Sequence, residues 1–180
     1  MRTLLHQFDL RLTHTIQQFP SWVEPIMTTA SFVGKPIFTM AICMVVGVLG
    51  LVWNNLKLFY AGCVSVGTIG LGVMLKLLLQ RDRPFTDYVL NMRLDTPSFP
   101  SGHAVGSTVA YGLAAYLLLQ LLPAPWNYVA AGILIVLIVI IGISRVYLGA
   151  HFPSDVVAGW LLGLAGLAVI ILLVKPRIMV

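Results

Sequence analysis

Three short stretches carry the residue types that could do ionic chemistry. They are KLLLQRDRP (residues 76–84), PSFPSGH (97–103) and SRVYLGAHFPSD (144–155). In the last, His151 and Asp155 are four apart, so they share a face if a helix begins near His151. A carboxylate placed there takes the proton of one imidazole nitrogen and leaves the other free as base or nucleophile. The alternative is an ordinary helix start, with Asp155 satisfying a first-turn amide. In PSFPSGH, Pro100 and Ser101 read as a helix start with Ser101 near the N-cap. Free backbone N–H groups at such an end attract anions. Gly102 lets a ligand approach the backbone, and His103 stands at the rim. The alternative is a plain Ser/Pro helix start followed by a polar His.

Lys76 and Arg83 are seven residues apart, two helical turns, and can point the same way. Arg offers a planar fork that matches phosphate oxygens, whereas Lys is a point charge. For Arg81 the expectation is different: its side chain snorkels to lipid head groups. Taken together, Lys76, Arg83 and Arg145 suit a phosphate or its transition state. One histidine can attack while the other protonates the leaving oxygen. No cluster of carboxylates suits Mg²⁺ or Ca²⁺. The chemistry these residues support is phosphoryl transfer with neither metal nor cofactor.

The elements that must position them are membrane helices. The chain has 180 residues, 59% hydrophobic and 9% charged, with mean hydropathy +0.95. Residues 36–56, 58–75, 104–122, 128–144 and 156–174 contain no charged side chain. Each run is about the ~20 residues that a helix needs to cross a bilayer. The fold class is therefore all-α: an integral membrane bundle of about five transmembrane helices. It forms a single domain, with interfacial helices in 1–34 and the transmembrane core in 35–180. In the opening segment Leu4, Leu5, Phe8, Leu12, Ile16 and Phe19 fit one helix face, with the Arg, His, Gln and Asp residues elsewhere. That pattern predicts an amphipathic helix lying in the membrane interface. SWVEPIMTTASFVG reads as a second short one.

Spans alternate in direction. The end of the second, the start of the third, the end of the fourth and the start of the fifth share one membrane face. Lys76, Arg81, Arg83, Ser101, His103, Arg145, His151 and Asp155 all lie there. The tight connections WNNLK and LPAPWN lie on the other face. The net charge of +5 is scattered over span ends, so no nucleic-acid partner is expected. Cys43 and Cys63 fall inside spans and read as apolar core residues.

At this point the sequence resembles the type 2 phosphatidic acid phosphatase family, the lipid-phosphatase branch that shares its site with vanadium haloperoxidases. The three-part signature stands here as K-x6-RP (Lys76, Arg83, Pro84), PSGH (Pro100 to His103) and SR-x5-H-x3-D (Ser144, Arg145, His151, Asp155). The resemblance implies that His151 is the nucleophile and forms a phosphohistidine. It also implies that Asp155 orients His151 and that His103 is the general acid. Lys76, Arg83, Arg145, Ser101 and the Gly102 amide would hold the phosphate. The partners implied are a lipid phosphate substrate and membrane lipids.

Within the same chemistry, a haloperoxidase is a soluble enzyme, and five spans argue against it. A transporter would place its binding groups near the bilayer midplane, whereas these groups line one face. Undecaprenyl diphosphate, phosphatidylglycerol phosphate and phosphatidic acid all fit as substrates. The habit of small bacterial members favours the first, with the site facing outward from the inner (cytoplasmic) membrane. That orientation leaves only Lys57, Lys175 and Arg177 of the eleven Lys and Arg inside, against the positive-inside rule. Three of the remaining eight are accounted for by catalysis.

Overall fold

The structure, a computed structural model, describes residues 2–92 and 94–174; Lys175 and Arg177 lie outside them. All regular elements among the described residues are helices. In chain order they are α1 (Arg2–Gln17), a 3-10 turn (Ser21–Val23), α2 (Glu24–Val33), α3 (Pro36–Val52) and α4 (Leu56–Leu79). They continue with α5 (Asp87–Asn91), α6 (Gly102–Leu121), α7 (Trp126–Tyr147) and α8 (Pro153–Val174).

Four helices, α4, α6, α7 and α8, are long and apolar enough to cross a membrane. At ~1.5 Å per residue, the 20 residues of α6 span about 30 Å, the thickness of a hydrocarbon core. The segments Ser21–Val33 and Pro36–Val52 form a fifth candidate, bent by 44°. The bend falls where Pro36 opens α3, since proline suits a first helical turn and cannot continue a preceding one. The chain is therefore an integral membrane helical bundle.

Helix α6 is the central post. Its segment GHAVGSTVA is rich in small residues, and Ala104 through Ala110 are all buried. Small side chains let membrane helices approach closely, where van der Waals contact replaces the missing hydrophobic drive. A Cβ added at Gly159 of α8 would stand 2.7 Å from Ala104 Cβ and 2.8 Å from the carbonyl oxygen of Ser101. Glycine is thus required for α8 to seat against the start of α6. The core continues through Cys43, Leu58, Ile69, Val109, Leu113 and Ile170. Buried hydroxyls inside it bond to their own helix: Ser65 to the Ala61 carbonyl at 2.7 Å and Thr108 to that of Ala104 at 2.7 Å. Such self-pairing is what a medium without water demands. The outer faces are apolar and exposed, for example Leu77, Leu161 and Leu172. Cys63 is also exposed, whereas Cys43 is fully buried in the core.

Helix α1 packs against α7 and α8. Its apolar side chains divide: Leu4, Leu5 and Phe8 are about half exposed or more, whereas Ile16 packs against the cluster of Ala104, Val146 and Val156. The side that meets the bundle is mixed: Asp9 is fully buried and Leu12, Thr13 and Ile16 are half-buried, whereas Arg11, His14, Gln17 and Gln18 are exposed, with Gln17 Nε2 donating to the Val146 carbonyl at 3.4 Å.

Candidate active site

The site layer sits where α4 ends, α6 begins, α7 ends and α8 begins. At the start of α8, Pro153 occupies the first turn and Asp155 reaches back, its Oδ2 accepting the N–H of Phe152 at 2.9 Å. This is the reciprocal half of a helix capping box. The same Oδ2 stands 3.5 Å from Nδ1 of His151. Asp155 therefore caps α8 and also faces the imidazole. The gap is long for a hydrogen bond, and Nδ1 has no hydrogen-bond partner among the described residues. Such bonds commonly tighten only when substrate is present.

His151 lies in the connection between α7 and α8 and is 2% exposed. Its Nε2 is 3.3 Å from Nη1 of Arg83. A guanidinium only donates, so Nε2 carries the lone pair and the proton resides on Nδ1, toward Asp155. That tautomer is assigned from the surrounding network. Burial, with Arg145, Arg83 and Lys76 close by, holds the imidazole well below the ordinary value of 6.5. It is neutral at pH 7.

Arg83 is held from several sides. Nε donates to the Thr96 carbonyl at 2.7 Å, Nη2 to Thr96 Oγ1 at 2.9 Å and Nη1 to the Ala150 carbonyl at 2.9 Å. Lys76, near the end of α4, donates to the carbonyls of Pro97 (2.8 Å) and Ser98 (3.3 Å). Arg145, 3% exposed in the last turn of α7, donates to Ser31 Oγ and, at 3.4 Å, to Tyr88 Oη. Its Nε has no hydrogen-bond partner among the described residues. The loop that carries Arg83 is fastened to the α7–α8 connection at Thr86, which donates to the Gly149 carbonyl at 3.0 Å. Gly149 has φ +73°, a left-handed conformation that glycine adopts without penalty. A side chain there would also strike Thr86.

Ser101 is the N-cap residue of α6, but its Oγ makes no capping bond and is buried without a partner among the described residues. Its backbone N–H instead donates to the carbonyl of Asp155 at 2.9 Å, joining the two helix starts. A Cβ at Gly102 would meet Pro36 Cγ at 3.6 Å, an ordinary van der Waals contact. His103, on that turn, lies within electrostatic reach of Arg145, His151, Arg83 and Lys76. All eight predicted site residues are thus brought to one end of the bundle.

Arg81 departs from expectation. Instead of snorkelling to head groups, it donates Nη1 to Asp155 Oδ1 at 2.6 Å and Nη2 to Asp9 Oδ2 at 2.7 Å. A guanidinium beside two buried carboxylates gains more from pairing than from reaching toward water. Asp9 and Ser154, which bind it, were not singled out from the sequence. A signal was present for Asp9: a carboxylate between Phe8 and Leu10, on a helix meant for the membrane interface, needs a partner.

Fold and site together define an integral membrane bundle with a cationic layer, bearing two histidines, at one end. A family model described as "PAP2 superfamily" matches residues 38–179, and the chain belongs to that superfamily. It is 33% identical over 154 residues to a phosphatidylglycerophosphatase B of Bacillus subtilis, covering 79% of this chain and 71% of that one. It is 37% identical over 99 residues to an undecaprenyl-diphosphatase of Sulfolobus acidocaldarius, covering 53% of this chain and 44% of that one. Among solved structures, it resembles a transmembrane PAP2-type phosphatidylglycerolphosphate phosphatase from Bacillus subtilis. The TM-score is 0.76 at 26% identity, over 93% of this chain and 84% of that one.

Proposed function

We propose that the chain is a metal-independent lipid phosphatase that works through a phosphohistidine on His151, with undecaprenyl diphosphate as substrate. The observation that carries this reading is the presentation of His151: a buried, neutral imidazole with its Nε2 lone pair turned toward Arg83. A phosphorus atom held by Arg83, Lys76, Arg145, Ser101 and the Gly102 amide would be open to attack by Nε2. Asp155 would then stabilise the imidazolium that forms as Nδ1 keeps its proton. His103 would protonate the leaving oxygen. A water would next attack the phosphohistidine, with His103 taking its proton, and release phosphate. The cations supply the charge stabilisation that a metal would otherwise give. Among the described residues, no three His, Cys, Asp or Glu side chains are grouped to hold a metal ion.

A second substrate, phosphatidylglycerol phosphate, is favoured by the longer match to phosphatidylglycerophosphatase B. We place the site on the outer side of a bacterial inner membrane, with α1 lying in the interface. The test is release of phosphate by purified protein from undecaprenyl diphosphate, phosphatidylglycerol phosphate and phosphatidic acid, side by side, with and without EDTA. Turnover that survives EDTA and is stopped by vanadate, a mimic of five-coordinate phosphorus, supports the reading. Loss in EDTA and recovery with Mg²⁺ contradicts it. The substrate with the highest kcat/KM decides between the two lipids.

A further inference from the structure

We propose that Asp9 of α1 is a positioning residue for the His151–Asp155 pair, acting through Arg81. This rests on the roles given above to His151 and Asp155. Asp9 is fully buried, although Phe8 and Leu10 beside it are about half exposed. Its Oδ1 accepts the N–H of Ser154 at 2.9 Å. Its Oδ2 accepts the Ser154 hydroxyl at 2.7 Å and Arg81 Nη2 at 2.7 Å. Arg81 Nη1 in turn donates to Asp155 Oδ1 at 2.6 Å and to Ser154 Oγ at 2.7 Å. The guanidinium also lies over the Phe152 ring, 4.6 Å from its centroid. One fork therefore bridges two carboxylates, one from α1 and one from the catalytic pair.

The arrangement has two consequences for the chemistry. First, Arg81 and the Phe152 N–H fix one oxygen each of Asp155, so the carboxylate cannot rotate away from Nδ1. Second, Asp9 offsets the charge of Arg81. Asp9, Arg81 and Asp155 together carry −1; without Asp9 the remaining pair carries none. The imidazolium that develops on His151 during attack is stabilised by the net negative charge behind it. Asp9 thus leaves Asp155 anionic in effect while Arg81 holds it in place. A cap that merely satisfied the Ser154 N–H would do neither, and the two roles separate experimentally.

Asp9→Asn retains the shape and one acceptor for Ser154 and removes the charge. The expected result is a fall in kcat of ~10- to 10²-fold, the scale of a reacting group misplaced by about 1 Å. KM should remain within about twofold. The loss should be the same on p-nitrophenyl phosphate as on a lipid phosphate, because the effect lies on His151 and not on the lipid chain. Asp9→Glu, which keeps the charge, should recover part of it. In an Arg81→Ala background, Asp9→Asn should cost little more, since the two act as one unit. Wild-type kcat in Asp9→Asn with a lowered Tm would make Asp9 a structural cap and overturn the proposal; so would additive losses in the double variant. If Asp9→Asn does not fold, Arg81→Lys replaces it. It keeps the charge and loses the bridging fork, with the same kcat-only loss expected and unchanged kcat contradicting. His151→Gln is measured alongside: its activity surviving would sink the phosphohistidine reading itself. A dead His151→Gln with a fully active Asp9→Asn would sink only this inference.

Discussion

Nη1 of Arg83 stands 3.3 Å from Nε2 of His151. The two groups meet because Thr96 and the Ala150 carbonyl clamp the guanidinium from both sides, and because Thr86 ties its loop to Gly149. In the proposed reaction an anionic phosphoryl group would lie against both. The geometry turns Nε2 toward the guanidinium that the proposed function assigns to the phosphoryl group.

The fork of Arg83, and not its charge alone, should matter. Arg83→Lys preserves one positive charge but cannot satisfy Thr96, Ala150 and a phosphate together. Its kcat/KM is expected to fall by ~10²-fold or more, as when one preorganised transition-state donor is removed. Steady-state kinetics on a lipid phosphate check this. A loss below tenfold would show that charge suffices.

His151 should remain neutral in mildly acidic solution. Burial and three neighbouring cations depress its proton affinity well below 6.5. The sign follows directly: the base form persists above that depressed value, and the nucleophile is lost only as pH falls through it. Histidine-selective ¹⁵N NMR in detergent, with His151→Gln to assign the signal, should show a neutral ring at pH 6. A ring titrating at or above 6.5 would contradict the account.

The two histidines should separate by leaving group. His151→Ala is expected to be inactive on every substrate. His103→Ala should lose ~10²–10⁴-fold on an alkyl phosphate, the usual worth of a general acid. It should lose much less on p-nitrophenyl phosphate, whose leaving oxygen scarcely needs a proton. Equal losses on both substrates would remove His103 from that role. Both variants are first checked for folding in detergent.

The orientation is tested at Asp87, an exposed residue that opens α5 in the loop carrying Arg83. Asp87→Cys should react with an impermeant maleimide in intact cells, and the parent protein should not. Labelling only after lysis would place the site on the cytoplasmic side.

Much of this arrangement was legible before the fold. The uncharged runs gave the helices, because a bilayer sets both their length and their composition. The alternation of spans then gathered Lys76, Arg83, Ser101, His103, Arg145, His151 and Asp155 at one end. The Arg81 pairing was not legible. Spacing along one helix says nothing about a carboxylate 72 residues away on α1. Nor does sequence disclose which face of an amphipathic helix turns toward the protein. Here the inward side carries Leu12 and Ile16 together with Asp9, while Arg11, His14, Gln17 and Gln18 stay exposed. The unpaired Oγ of Ser101 was equally hidden, since a serine at an N-cap ordinarily spends its hydroxyl on the cap; here it does not.

The central claim is that His151 becomes covalently phosphorylated, and rapid-quench labelling tests it most directly. The purified protein is mixed with a lipid substrate labelled with ³²P in its terminal phosphate and stopped within the first turnover in alkali, where phosphohistidine survives. The account predicts label on the protein, lost on acid treatment, that maps to the peptide containing His151 and is absent from His151→Gln. Turnover without any labelled protein, or label on another residue, would contradict it.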